Sequence, residues 1–75
     1  MVYVRHNKGL KRLGNKIKEI RLQQKISQDQ LSFESGISKN QISRIERGEI
    51  NTGVSTLLIL AEVLNVHIKE FFTDN

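Results

Sequence analysis

The run from Ser27 to Gly48, SQDQLSFESGISKNQISRIERG, leaves little freedom in how this chain folds. It holds two helix-length stretches separated at Ser35-Gly36-Ile37, and with no proline anywhere, glycine, serine and asparagine must set the bends. Ser27 is placed to cap the first stretch, and Asp29 lies in its first turn, where the helix dipole favours negative charge. Gly36 permits a left-handed backbone just past that helix. Ser38 caps the second stretch, which is predicted to be helical over about residues 38–46 and to end at Gly48. Leu31, Ile37, Ile42 and Ile45 knit the two stretches to a common core, and Ser32 is small enough to allow a close helix crossing. The second stretch keeps Lys39, Asn40, Gln41, Ser43 and Arg44 on its polar side.

The flanks supply the rest of a helical domain. Leu10, Leu13, Ile17 and Ile20 follow 3-4-3 spacing and predict a first helix over about residues 10–24. After a loop at Asn51-Thr52-Gly53, Val54, Leu57, Leu58, Leu60, Ala61 and Leu64 predict a mostly buried fourth helix that stops near Asn65. Ile68, Phe71 and Phe72 predict a short fifth. Alternation at Val2 and Val4 is too brief to predict a strand. The expected fold class is therefore all-α, a compact five-helix bundle, with residues 10–75 as one domain and residues 1–9 as an N-terminal extension. That extension has three open forms: a basic arm, a continuation of the first helix, or a strand paired across a dimer. A chain of 75 residues buries only about 60% of its unfolded surface, and with no cysteine it has no disulfide staple.

Charge is unevenly spread. Residues 1–25 carry eight Lys or Arg against the single acid Glu19, the middle of the chain balances, and residues 48–75 carry four acids against Lys69. A basic half followed by an acidic half suits a polyanionic partner held on one side, with each neutralised phosphate releasing counterions. The side chains exposed on the second stretch are of the kinds that read base edges and phosphates in a DNA groove. Other classes are excluded by what is missing. His6 and His67 have no partners at metal-ligand spacing, so no metal is expected and both read as exposed polar residues. There is no Cys nucleophile, no His-carboxylate constellation and no Gly-rich phosphate loop, so neither an enzyme nor a cofactor is expected. No apolar run approaches the roughly 18 residues of a membrane span, and the residues before Arg5 are too few for a signal peptide, so a cytoplasmic location is expected.

Leu13-Gly14, Ile17 to Arg21, Ile26-Ser27-Gln28, Leu31, Ser35-Gly36-Ile37-Ser38, Ile42-Ser43, Ile45-Glu46-Arg47-Gly48, Thr56-Leu57, Leu60-Ala61, Leu64-Asn65-Val66 and Phe72 stand in a particular order and spacing. In this the chain resembles the Cro and phage-repressor (XRE-like) helix-turn-helix family. The resemblance implies a lambda-repressor-like DNA-binding domain with its helix-turn-helix at helices two and three. It further implies a sequence-specific transcriptional regulator that binds double-stranded DNA as a homodimer on a palindromic operator. Gln28 would touch a phosphate and brace the recognition helix, with Ser27 capping beside it. Ser38, Lys39 and Asn40 would meet base edges, with Ser43 and Arg44 one turn on. Arg44 would pair bidentately with guanine and Asn40 would read adenine. Arg47 would approach a phosphate. Arg21 and Glu46 would form a salt bridge between helices one and three.

Two positions depart from the family pattern. Lys25 stands where glycine usually ends helix one, so the exit from that helix is expected to be built differently. Thr52 stands where a proline often precedes helix four, leaving Gly53 or Thr52 to cap. Leu22, Phe33, Ile59 and Phe71 are surplus to a single small core. A two-fold dimer through helices four and five would use Ile59, Ile68 and Phe71 and set two recognition helices about 34 Å apart, one DNA turn. Size and the Phe33-Glu34-Ser35-Gly36 segment resemble controller proteins of restriction-modification systems. The alternative is a protein-interaction or antitoxin-type module of the same fold. No small-molecule ligand is expected in either case.

Overall fold

The structure, a computed structural model, describes residues 6–73, and every element in it is helical. Helix α1 spans Asn7–Gln23, α2 Gln28–Ser35, α3 Lys39–Glu46 and α4 Val54–Val63. A 3-10 turn at Ile68–Phe72 stands where a fifth helix was expected, so there are four α-helices among the described residues. Five residues are too few for a stable α-helix, and the Glu70 amide bonds the His67 carbonyl at 2.9 Å in the tighter i to i+3 pattern. α1 begins three residues earlier than the apolar stripe required, because the His6 imidazole caps it, accepting from the Gly9 amide at 2.9 Å. Residues 7–9 thus continue the first helix. The brief alternation at Val2 and Val4 lies outside the described residues.

The core is Leu13, Ile17, Ile20, Leu31, Ile37, Ile42, Ile45, Leu57, Leu60, Ala61, Leu64 and Phe71. Two expectations about it are corrected. Phe71 is not surplus: it is 1% exposed, carried into the core by the 3-10 turn, which packs against α1 and α4. α4 is buried on one face only, and Val54, Leu58 and Ile59 of that helix are exposed.

Three helices end in the same way. Past α1 the Lys25 amide bonds the Leu22 carbonyl at 3.0 Å and the Ile26 amide reaches Arg21 at 3.1 Å. Past α3, Gly48 bonds Ile45 and Glu49 bonds Arg44; past α4, Asn65 bonds Glu62 and Val66 bonds Ala61. Each is a Schellman turn pivoting on a left-handed residue, with φ of 59° at Lys25, 71° at Gly48 and 56° at Asn65. The exit from α1 is therefore not built differently. Lys25 adopts the glycine conformation itself, at a cost on the order of 1 kcal/mol, and Ile26 beyond it packs on the core. Gln24 adds a tie, donating from Nε2 to the Leu64 carbonyl at 2.6 Å and so satisfying an orphan at the end of α4. Gly53 caps α4 without a side-chain bond, and the buried Thr52 hydroxyl has no hydrogen-bond partner among the described residues.

Candidate nucleic-acid interface

α3 is placed by its backbone as well as its side chains. A Cβ on Gly14 would stand 2.2 Å from the Ile45 carbonyl oxygen and 2.7 Å from that of Glu46, so only glycine lets α1 lie against the last turn of α3. Three residues earlier, Lys11 backs directly onto Gly48, where an added Cβ would come within 2.7 Å of its Cα. α1 therefore meets α3 along the row Lys11, Gly14, Lys18 and Arg21, one helical stripe round from its apolar row.

At the end of that row lies a buried charge network. Arg21 and Glu46 are 6% and 4% exposed. Arg21 Nε donates to Glu46 Oε2 at 2.7 Å and Nη2 donates to Oε1 at 3.0 Å, while Nη1 bonds the Ile26 carbonyl at 2.8 Å. Gln28 Nε2 donates to Glu46 Oε1 at 2.9 Å. One carboxylate thus joins the end of α1, the start of α2 and the end of α3. Both charges are paired and hydrogen-bonded, the condition under which a buried ion pair is tolerated. The turn between α2 and α3 is tied as well: Ser32 Oγ donates to the Ile37 carbonyl at 2.6 Å, and Gly36 turns at φ 77°. Ser32 is thus a hydrogen-bond donor there, beyond being small.

With its inner side held, α3 turns the expected residues outward. Ser38 caps it, accepting from the Gln41 amide at 3.1 Å, as Ser27 caps α2 through the Gln30 amide at 3.0 Å. Lys39, Asn40 and Arg44 are exposed and Ser43 is half-buried. Lys39 Nζ lies 3.2 Å from Asp29 of α2. Arg44 Nε lies 3.9 Å from Glu49 Oε1. Arg47 is more occupied than its sequence position suggested. Its Nε and Nη2 hold Glu49 at 2.7 and 3.1 Å, and Nη1 donates to Ser43 Oγ. The bond to Glu49 holds the Arg47 guanidinium above its ordinary pKa.

Sequence reasoning passed over Asn15 and Lys18. Both line a polar cleft of roughly 350 Å³ with Gln28, Ser43, Glu46 and Arg47. The signal was present: Lys18 belongs to the Gly14–Arg21 row that faces α3. His67, read as a surface residue, caps the 3-10 turn by accepting from the Lys69 amide at 3.1 Å.

A helix-turn-helix family model matches residues 17–71. The chain belongs to the helix-turn-helix family. Within it, the chain is 36% identical over 61 residues to the control protein C.SmaI of Serratia marcescens, covering 81% of this chain and 73% of that protein. It is equally identical, over 61 residues, to the transcriptional regulator PuuR of Escherichia coli, but spans only 33% of that protein's length. The fold is similar to that of the restriction-modification controller protein C.AhdI from Aeromonas hydrophila, with a TM-score of 0.84 at 31% identity, covering 87% of this chain and 98% of that one. It is also similar to C.Esp1396I, solved as a tetramer in complex with its natural 35-base-pair operator, with a TM-score of 0.77 at 28% identity, covering 91% and 100%.

Proposed function

We propose that this chain is a sequence-specific double-stranded-DNA-binding transcriptional regulator of the restriction-modification controller type, with α3 in the major groove. The observation that carries the reading is the contrast between the two sides of α3. Its inner side is fixed by Gly14 and the Arg21–Glu46–Gln28 network, while Lys39, Asn40 and Arg44 stand in solvent on the outer side. Ser38, Lys39, Asn40, Ser43 and Arg44 meet base edges; Ser27, Gln28 and Arg47, joined by Lys18 and Asn15, stand near the phosphates. Similarity to controller proteins over most of the chain supports the regulatory role, as does the operator complex of C.Esp1396I. The chain acts in the cytoplasm, where its DNA is, and performs no chemistry.

The regulator works as a homodimer on a palindromic operator. Its dimer surface is the exposed apolar side of α4 and the 3-10 turn, where Leu58, Ile59 and Phe72 are exposed and Ile68 is half-buried. Phe71, buried within its own chain, supports that surface from beneath. Binding-site selection on random duplex DNA tests the whole reading. A recovered palindrome, bound far more tightly than its scrambled version, is expected. Enrichment of no sequence, with binding to all duplexes alike, would leave the protein-interaction alternative in its place.

A further inference from the structure

Glu49 lies three residues past the end of α3, yet its carboxylate is the meeting point of Arg44 in that helix and Arg47, its C-cap. Its backbone is anchored first: the Glu49 amide bonds the carbonyl of Arg44 at 2.9 Å, so the carboxylate springs from a fixed place one turn beyond Arg44. Its side chain is then held by Arg47 through two bonds of 2.7 and 3.1 Å, and Arg47 is itself tied back to Ser43. The Oε1 that accepts from Arg47 Nη2 also lies 3.9 Å from Arg44 Nε, within ion-pair distance but beyond a hydrogen bond. The near atom is Nε. The two terminal nitrogens of Arg44, Nη1 and Nη2, are the pair that can fork onto a guanine O6 and N7.

We propose that Glu49 is a specificity-determining positioning residue: with Arg47 as its strut, it steers Arg44 through the ion pair at Nε and presents the terminal fork of that side chain to one guanine. This rests on the DNA-reading role given above to α3. An arginine on an exposed helix has many rotamers, and ordering it at the moment of binding costs affinity; a carboxylate that orders it beforehand removes that cost. The same carboxylate is a negative charge beside the phosphates and weakens every DNA complex, specific or not. The two effects have opposite signs on different DNA. A simple electrostatic competitor, which Arg44 must leave in order to bind, would weaken both complexes.

The experiment compares Glu49→Gln with Glu34→Gln, a charge-matched change on α2 that removes an exposed carboxylate bonded by Gln30 Nε2. Each variant is titrated onto the duplex recovered by selection and onto a scrambled duplex of equal length. Glu49→Gln is expected to weaken the selected duplex by about tenfold while tightening the scrambled one about two- to threefold, with an unchanged melting temperature. Glu34→Gln tightens both slightly. In an Arg44→Ala background the loss caused by Glu49→Gln disappears, because there is no side chain left to orient. Equal tightening on both duplexes, matching Glu34→Gln, would overturn the positioning role and make Glu49 a competitor, leaving the regulator reading intact. A wild-type protein that prefers no duplex removes the regulator reading and this one together.

Discussion

Gln28 and Glu46 share a hydrogen bond of 2.9 Å across the helix-turn-helix, and that bond is the third one laid on a carboxylate already gripped by Arg21. The residue that opens α2 is thus bonded to the residue that closes α3. Replacing Glu46 by Gln preserves the shape but strands the Arg21 guanidinium in the interior. Urea unfolding is expected to show a loss of about 3–5 kcal/mol, the scale of breaking a buried pair from one side. Gln28→Ala, which leaves the ion pair whole, loses about 1 kcal/mol.

Arg44→Ala weakens binding to the selected duplex by about 1–3 kcal/mol and relaxes base preference at one position of each half-site. Lys18→Ala behaves differently. It lies in the cleft with Gln28 and Arg47, so it weakens all duplexes alike and lowers the salt slope by about one. Titrations at several salt concentrations separate the two. An Arg44→Ala variant that weakens selected and scrambled DNA equally would mark Arg44 as a phosphate contact.

Lys25→Gly stabilises the fold by roughly 0.5–1 kcal/mol, the left-handed penalty less the extra freedom glycine has in the unfolded chain. The φ of 59° is kept and no side-chain contact of the core is lost. Thermal unfolding of the pair of proteins is sufficient to measure it, and a lowered melting temperature would show that the lysine stem contributes more than its backbone costs.

Thr52→Val removes a buried hydroxyl that has no hydrogen-bond partner among the described residues and keeps the shape of the side chain. The expected gain is about 1 kcal/mol, the desolvation penalty of an unsatisfied group. A loss of stability would mean that the hydroxyl is bonded in solution.

Ile59→Asp and Phe72→Asp place charge on the exposed apolar side of α4 and the 3-10 turn without touching the core. Sedimentation is expected to show a shift from dimer to monomer, with unchanged helicity and weaker binding to a palindromic duplex than to a half-site relative to wild type. Dimers that persist in both variants would move the interface elsewhere.

The helices and most of the core were legible in the chain because the evidence for them is local. Leu13, Ile17 and Ile20 declare a face by their spacing, and Ser27, Gly36 and Ser38 declare ends by their chemistry. What escaped was set by partners distant in sequence. Phe71 reads as spare until the 3-10 turn carries it beneath α1, and Leu58 reads as core until α4 is seen to pack on one face alone. Lys25 was expected to change the exit from α1, yet Ile26 packing and two backbone bonds outweigh a penalty of about 1 kcal/mol. On the candidate site, the residues proposed to read bases were visible by type. Glu49 was hidden because its importance comes from a Schellman turn that brings an acidic residue back toward two arginines.

The grip of Gly14 on the carbonyls of Ile45 and Glu46 has a consequence for how such a protein changes its target. Because α3 is clasped by main-chain atoms and by Glu46, Lys39, Ser43 and Arg44 keep only partners outside the core, Asp29, Arg47 and Glu49. With Asn40 they form an interchangeable face on a fixed mount. On the proposed reading of α3, a lineage can retune which operator it recognises through a few substitutions there at little cost in core stability, and an engineer can graft another reader's residues onto the same four positions.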